Sequence, residues 1–181
     1  MNRKELIDAI QLYKSSRWCS DEDFELADQF IDFIKNNDQC FQRELTHGHL
    51  TASCWLWNLD QSACLFTHHK KLNMWLQLGG HADGHTNLLE VAIKEAQEES
   101  GILEIEALSP QIFDLSVHQI PENPIEAAHL HYDVRYLLRV KIDKPFIVSS
   151  ESFDLKWIKP EEFEEYNLDS SILKMQQKVL L

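Results

Sequence analysis

The stretch Leu78-Gly79-Gly80-His81-Ala82-Asp83-Gly84-His85-Thr86-Asn87-Leu88-Leu89-Glu90-Val91-Ala92-Ile93-Lys94-Glu95-Ala96-Gln97-Glu98-Glu99-Ser100-Gly101-Ile102 decides how the chain is read. On a helix, Glu95, Glu98 and Glu99 stand at i, i+3 and i+4, on neighbouring turns of one side. Like charges so placed repel by about 0.2–0.5 kcal/mol per pair. A divalent cation reverses the sign of that term, and hard carboxylate oxygens suit Mg²⁺ or Mn²⁺. Asn87 followed by Glu90 predicts an N-cap with its N3 partner and a helix starting near Leu88, and Gly101 is placed to stop it in the left-handed conformation. Leu89, Ala92, Ile93 and Ala96 are the expected apolar stripe, with the carboxylates flanking it. Gly79, Gly80 and Gly84 permit sharp turns and the close approach of a carbonyl or phosphate.

In this register the stretch resembles the Nudix box, G-x5-E-x7-R-E-U-x-E-E-x-G-U with U a bulky aliphatic. Gly80 opens it, and Lys94-Glu95-Ala96-Gln97-Glu98-Glu99-Ser100-Gly101-Ile102 closes it. Thr86 stands where the box has its first glutamate, Lys94 where it has arginine, and Ala96 is small for its position. In the family the first two pair and tie the loop to the helix, so replacing both removes a brace without stranding a charge. The resemblance spans Thr46 to Phe163. It implies an α+β fold, a Nudix-type α/β/α sandwich around a mixed sheet, and metal-dependent hydrolysis of the pyrophosphate bond in a nucleoside diphosphate linked to another moiety.

The same resemblance implies Gly79, through its carbonyl, with Glu95, Glu98 and Glu99 as metal ligands, and Mg²⁺ or Mn²⁺ as cofactor. Glu95 is either a further ligand or the general base. Glu151, six residues before Trp157, has the offset of a glutamate that serves several Nudix enzymes as extra ligand or base. It joins Glu95, Glu98 and Glu99 as a catalytic candidate, with Asp154 its competitor. A Nudix-fold sensor that binds a nucleotide without cleaving it is the alternative reading. An isopentenyl diphosphate isomerase-like enzyme would need a cysteine facing the metal, and no cysteine lies in a comparable motif.

Length and charge narrow the partners. The 181 residues match one domain with an appendage, and a net charge of −13 repels polynucleotides. Apolar runs fall short of the ~20 residues of a membrane span, and the N-terminus lacks the apolar core of a signal peptide. The expectation is a soluble, cytoplasmic protein whose partner is a small nucleotide, with neither nucleic acid polymer nor membrane. Cys19, Cys40, Cys54 and Cys64 lack C-x-x-C spacing and are expected to be free thiols, Cys54 and Cys64 in the core.

Residues 1–45 read as a helical extension to a domain over 46–181. Leu6, Ile7, Ile10, Leu12 and Tyr13 give a short amphipathic segment, and Ser20 caps a second one carrying Phe24, Ala27, Phe30, Ile31 and Ile34. The extension either caps the core or forms a homodimer contact. From His49 the period becomes that of strands. Thr51, Ser53, Trp55 and Trp57 oppose Ala52, Cys54 and Leu56, residues 58–62 turn the chain, and Ala63 to His68 return it as a hairpin. Ile105 to Val117 and His129 to Val140 are further strands, separated by a loop at Pro121-Glu122-Asn123-Pro124. Lys156-Trp157-Ile158 follows, then a helix from Ser170.

Trp75, His81, His129 and His131 complete the candidate site as substrate-binding residues. Trp75 either stacks on a base or lines the core. His129, His131 and Asp133 alternate along one strand and so share a face, where they orient a phosphate, act as a second ligand set, or bond locally; His118 is placed to join them. The basic run His68-His69-Lys70-Lys71 either meets phosphate or is a solvated turn.

Overall fold

The computed structural model describes residues 2–122 and 127–180, so Asn123 and Pro124 of the expected loop lie outside the described residues. Two helices lead, α1 (Arg3–Tyr13) and α2 (Asp21–Asn36). The strands β1 (Gly48–Trp57), β2 (Cys64–His69), β3 (Met74–Gln77) and β4 (Gly79–His81) follow, then helix α3 (Leu88–Ser100). Beyond it come β5 (Ile105–Ala107), β6 (Asp114–Ile120), β7 (His129–Val140), β8 (Ser152–Ile158), a 3₁₀ turn at Pro160–Glu165 and helix α4 (Ser170–Val179).

β1 is the hub. It runs parallel to β7 from Gly48 opposite Leu130 to Trp57 opposite Arg139, and antiparallel to β4 over Thr51–Ser53. A strand paired on both edges and covered on both faces buries every residue from Gly48 to Leu56. The far edge of β7 carries β6 along its first half and β5 at its end, both antiparallel. The expected long strand from Ile105 to Val117 is therefore two strands, with a break that includes Pro110, which has no N–H to give the ladder. The β1–β2 hairpin forms, its turn closed by Asn58 and Ala63 and by a left-handed Gln61. Only Trp57 and Cys64 pair across it, because β4 and Leu78 occupy the rest of that edge of β1 and β2 turns away to join β3 and β8.

The N-terminal helices belong to the same core. Leu6, Ile10 and Tyr13 of α1 and Ala27, Phe30, Ile31, Phe33 and Ile34 of α2 are buried, and Phe33 stacks on Tyr132 of β7 at 3.8 Å. Leu12 and Phe24, placed in the expected stripes, are exposed instead. Ser20 caps α2 as expected, its Oγ accepting from Asp23 N–H while the Asp23 carboxylate accepts from Ser20 N–H. The four cysteines are free, with Cys40, Cys54 and Cys64 buried. Among the described residues no helix is long and apolar enough to cross a membrane.

A buried ionic cluster ties the first and last helices to the sheet. Asp23 of α2 and Asp114 of β6, both fully buried, meet Lys174 and Lys178 of α4, Lys178 lying 2.6 Å from Asp23 and 2.5 Å from Asp114. Lys178 also donates to the Tyr13 hydroxyl at 2.8 Å, and Arg135 of β7 bridges Asp114 at 3.1 Å to Asp133 at 2.8 Å. Burial opposes the Asp23 charge, but its bonds with Lys174, Lys178 and Ser20 prevail and hold its carboxyl down to about 2.

Candidate active site

Helix α3 stops as expected, with Gly101 left-handed at φ 70° and its N–H donated to the Gln97 carbonyl. It also starts at Leu88 with Asn87 at the cap position, as expected, but the capping bonds are missing: the Asn87 side chain makes none, Asn87 N–H donates to His85 Nδ1 at 3.3 Å, and Glu90 lies 3.4 Å from His85. The buried stripe keeps Ala92 and Ala96 as expected but is rotated to take in Leu88, Val91 and Ser100, leaving Leu89 and Ile93 half-buried. That rotation makes the three carboxylates unequal. Glu95 keeps 21% of its side-chain exposure and Glu98 keeps 58%, so Glu95 looks inward and Glu98 outward.

The paired glycines follow from what they face. A Cβ on Gly79 would enter the backbone of β1, 2.7 Å from the Ala52 carbonyl oxygen, and a Cβ on Gly80 would sit 2.6 Å from the Glu95 carboxylate carbon. Gly79 N–H donates to Glu99 Oε1 at 3.0 Å, joining β4 to the helix. Burial, with the charges of Glu95 and Glu151 adding to it and the Gly79 bond opposing it, pushes the Glu99 carboxyl up to about 8. Glu95 is raised as well, by burial against the opposing charge of Lys94. A buried acid that resists ionisation is one that a nearby cation would stabilise, so this donor set fits a hard divalent ion.

Lys94 reaches Glu98 at 2.8 Å and Glu95 at 3.4 Å, bridging two of the three carboxylates. The loop ahead of the helix is braced from outside the box. Arg43 grips both oxygens of Asp83, whose φ is 48°, and Gly84 N–H donates to the Phe41 carbonyl at 2.8 Å. Glu151 lies exposed just before β8; its carbonyl accepts from Lys70 N–H, while Lys70 Nζ donates to the Ser150 carbonyl at 2.7 Å. The basic turn thus holds the segment that carries Glu151.

A family model, the NUDIX domain, matches residues 47–178. The chain belongs to the Nudix family. Among solved structures, the *Caenorhabditis elegans* Ap4A hydrolase in a binary complex superposes with a TM-score of 0.58 at 15% identity, covering 72% of this chain and 94% of that one. A NUDIX-family hydrolase from *Clostridium perfringens* gives 0.55 at 23% identity, covering 73% and 97%. The *Escherichia coli* dihydroneopterin triphosphate pyrophosphohydrolase gives 0.54 at 12%, covering 72% and 94%. Similarity at these identities establishes the Nudix fold, a mixed sheet with α1 and α2 ahead of the matched region. A search of curated proteins finds no match.

Within this Nudix fold the other expected site residues separate. Trp75 packs between His68, stacked at 5.0 Å, and Tyr166, edge-on at 5.7 Å, so its ring is engaged by protein. His81, His129 and His131 come together with His49 and His118, five of the nine histidines, at ring separations of 4.8–5.4 Å. Burial first, then the neighbouring imidazoles, lowers His49 to about 4 and His131 well below the usual histidine range. Asp133 does not join them, being held by Thr51 at 3.0 Å, Ser53 at 2.6 Å and Arg135 at 2.8 Å. Sequence reasoning missed His49 and Arg43. His49 becomes visible only when β1 is set parallel to β7, which puts it opposite His131.

Proposed function

We propose that this Nudix protein is a hydrolase that cleaves the pyrophosphate bond of a nucleoside diphosphate linked to another moiety, with Mg²⁺ or Mn²⁺ as cofactor. The observation that carries the reading is Glu99, a carboxyl buried beside Glu95 and pinned to Gly79. Glu98, Glu99 and the Gly79 carbonyl would hold the ion, which when bound neutralises pyrophosphate oxygens and lowers the pKa of a coordinated water. Lys94, which donates to Glu98 Oε2 at 2.8 Å, would compete with the ion for that oxygen.

Glu95 is either a further ligand or the base that takes the proton of the attacking water, and Glu151, whose charge acts on Glu99, is the second candidate for those roles. The Gly80 cradle keeps the Glu95 carboxylate against the β4 backbone, where a substrate anhydride would be held within reach. A non-hydrolysing nucleotide sensor is the second reading, and the Lys94 pairing with Glu95 and Glu98 favours it.

A panel of dinucleotides, nucleotide sugars and nucleoside triphosphates, scored with Mg²⁺ or Mn²⁺ for phosphate release and product identity, separates the two. Hydrolysis of one class is expected, and Glu99→Gln, which keeps an acceptor for Gly79 N–H, should lower turnover by several orders of magnitude with unchanged folding. Tight binding without phosphate release, or full activity in Glu99→Gln, would refute the proposal.

A further inference from the structure

The imidazole cluster is unlike the carboxylate site in both chemistry and construction. His49 of β1 stands directly across from His131 of β7, with His129 two residues earlier on β7, so the side chains crowd one face of the sheet. One ring nitrogen from each of His49, His129 and His131 lies within 4.8 Å of the other two, the one such convergence of potential ligands among the described residues. We infer that His49, His129 and His131 form a binding site for one borderline divalent transition ion, of the Zn²⁺ class, separate from the carboxylates of α3.

The geometry is close to what such an ion requires. Zn–N bonds of about 2.0–2.1 Å in a tetrahedron place ligand nitrogens about 3.3 Å apart. His129 Nε2 and His131 Nε2 are already 3.2 Å apart. Drawing the third nitrogen in from as far as 4.8 Å takes a small rotation of one ring.

His129 is also oriented as a ligand. Its Nδ1 lies 2.8 Å from the Ala127 carbonyl, which can only accept, so the proton sits on Nδ1 and the Nε2 lone pair points into the cluster. A histidine ligand commonly donates its outer N–H to a backbone carbonyl in this way. Without metal, His131 Nε2–H is the donor to that lone pair. Ion binding removes this proton, to Nδ1 or to solvent, and leaves two lone pairs facing one centre.

His49 supplies the independent observation. It is 3% exposed, and neither of its ring nitrogens completes a hydrogen bond, although the Leu45 carbonyl is near enough to influence the ring. Burying such a group unsatisfied is costly. A coordinated ion would give one of its nitrogens a partner. His81 packs edge-on against His131 at 4.9 Å and His118 flanks it at 5.4 Å, closing the site with further imidazole. Imidazole nitrogen favours Zn²⁺, Co²⁺, Ni²⁺ or Cu²⁺ over Mg²⁺, so the protein sorts metals between two sites by ligand hardness.

The test uses the full, untagged chain with Co²⁺ as a visible probe and Zn²⁺ as competitor. With Mg²⁺ in millimolar excess, one Co²⁺ per chain is expected to bind, with the strong d–d absorption of a low-coordinate nitrogen site, and Zn²⁺ should displace it. Glu98→Gln and Glu99→Gln should leave the spectrum unchanged, and His131→Gln should abolish it. Long-range ¹H–¹⁵N spectra of the unsubstituted chain make the test independent of how that variant folds: Zn²⁺ should shift one ring nitrogen each of His49, His129 and His131. Absence of the Co²⁺ spectrum, its loss in the glutamate variants but not in His131→Gln, or imidazole shifts with inorganic phosphate but none with Zn²⁺ would overturn the inference.

Discussion

Alanine at the two adjacent glycines of β4 should separate folding from chemistry. In Gly80→Ala the new methyl would lie 2.6 Å from Glu95 Cδ and 3.1 Å from its Cγ. Carbon atoms pack at about 3.5–4.0 Å, so the carboxylate must retreat by about 1 Å. It is the far end of a flexible side chain, and the off-rotamer penalty is about 0.5–1.5 kcal/mol. Displacement of a reacting group by about 1 Å lowers turnover roughly 100-fold. In Gly79→Ala the methyl meets backbone instead, 2.6 Å from Ser53 Cα and 2.7 Å from the Ala52 oxygen. β4 and β1 must part, at a cost of about 1–3 kcal/mol or more. For a chain of this size each kcal/mol lowers Tm by about 2–4 °C.

Thermal unfolding and phosphate release, measured on both variants, give the comparison. Gly80→Ala should lose activity with Tm lowered by about 6 °C at most, and Gly79→Ala should lose activity with a larger fall in Tm. Unimpaired hydrolysis in Gly80→Ala, at a substrate the unsubstituted chain cleaves, would refute the placement of Glu95 in the chemistry.

Three further outcomes follow from the ion pairs. Lys178→Met leaves Asp23 and Asp114 short of a cation in a dry site and should destabilise by about 3–5 kcal/mol, read from the urea midpoint. The Asp23 carboxyl lies below its unfolded value of 3.8, at about 2, so its contribution of about 2 kcal/mol is complete above pH 4 and lost as pH falls through 2. Urea midpoints between pH 6 and pH 2 should trace that loss, and Asp23→Asn should flatten it. Arg43→Ala breaks a half-exposed pair, so stability should change by about 1 kcal/mol or less while amide exchange over residues 82–86 accelerates.

Much of the fold was legible because local rules decided it. Ser20 and Gly101 set helix ends through bonds made within a few residues, and β1 alternates visibly. Asn87 sits at the cap as read, but its bond with Glu90 is missing, because His85 meets both the Asn87 N–H and the Glu90 carboxylate. Ala92 and Ala96 lie in the helix stripe as read, but Leu88 takes the place expected of Leu89, since the two are equally apolar and only docking on β1 chooses between them. That choice also decides which glutamate looks inward. Asp23, Asp114, Lys174 and Lys178 read singly as surface charges, because nothing local reveals that strands and helices far apart in the chain bring them into one cluster around two fully buried acids. His49 was hidden for the same reason: its partners depend on strand register.

The contact between Tyr13 and Lys178 spans 165 positions. Until α4 docks, Asp23 of α2 lacks Lys174 and Lys178, and Asp114 of β6 has only Arg135, which it shares with Asp133, so a partly assembled molecule lacking that last helix is penalised where it would otherwise be most settled. That penalty ties the docking of the last helix to the assembly of the first helices and the sheet, so the two ends of the chain depend on each other for their place in the core.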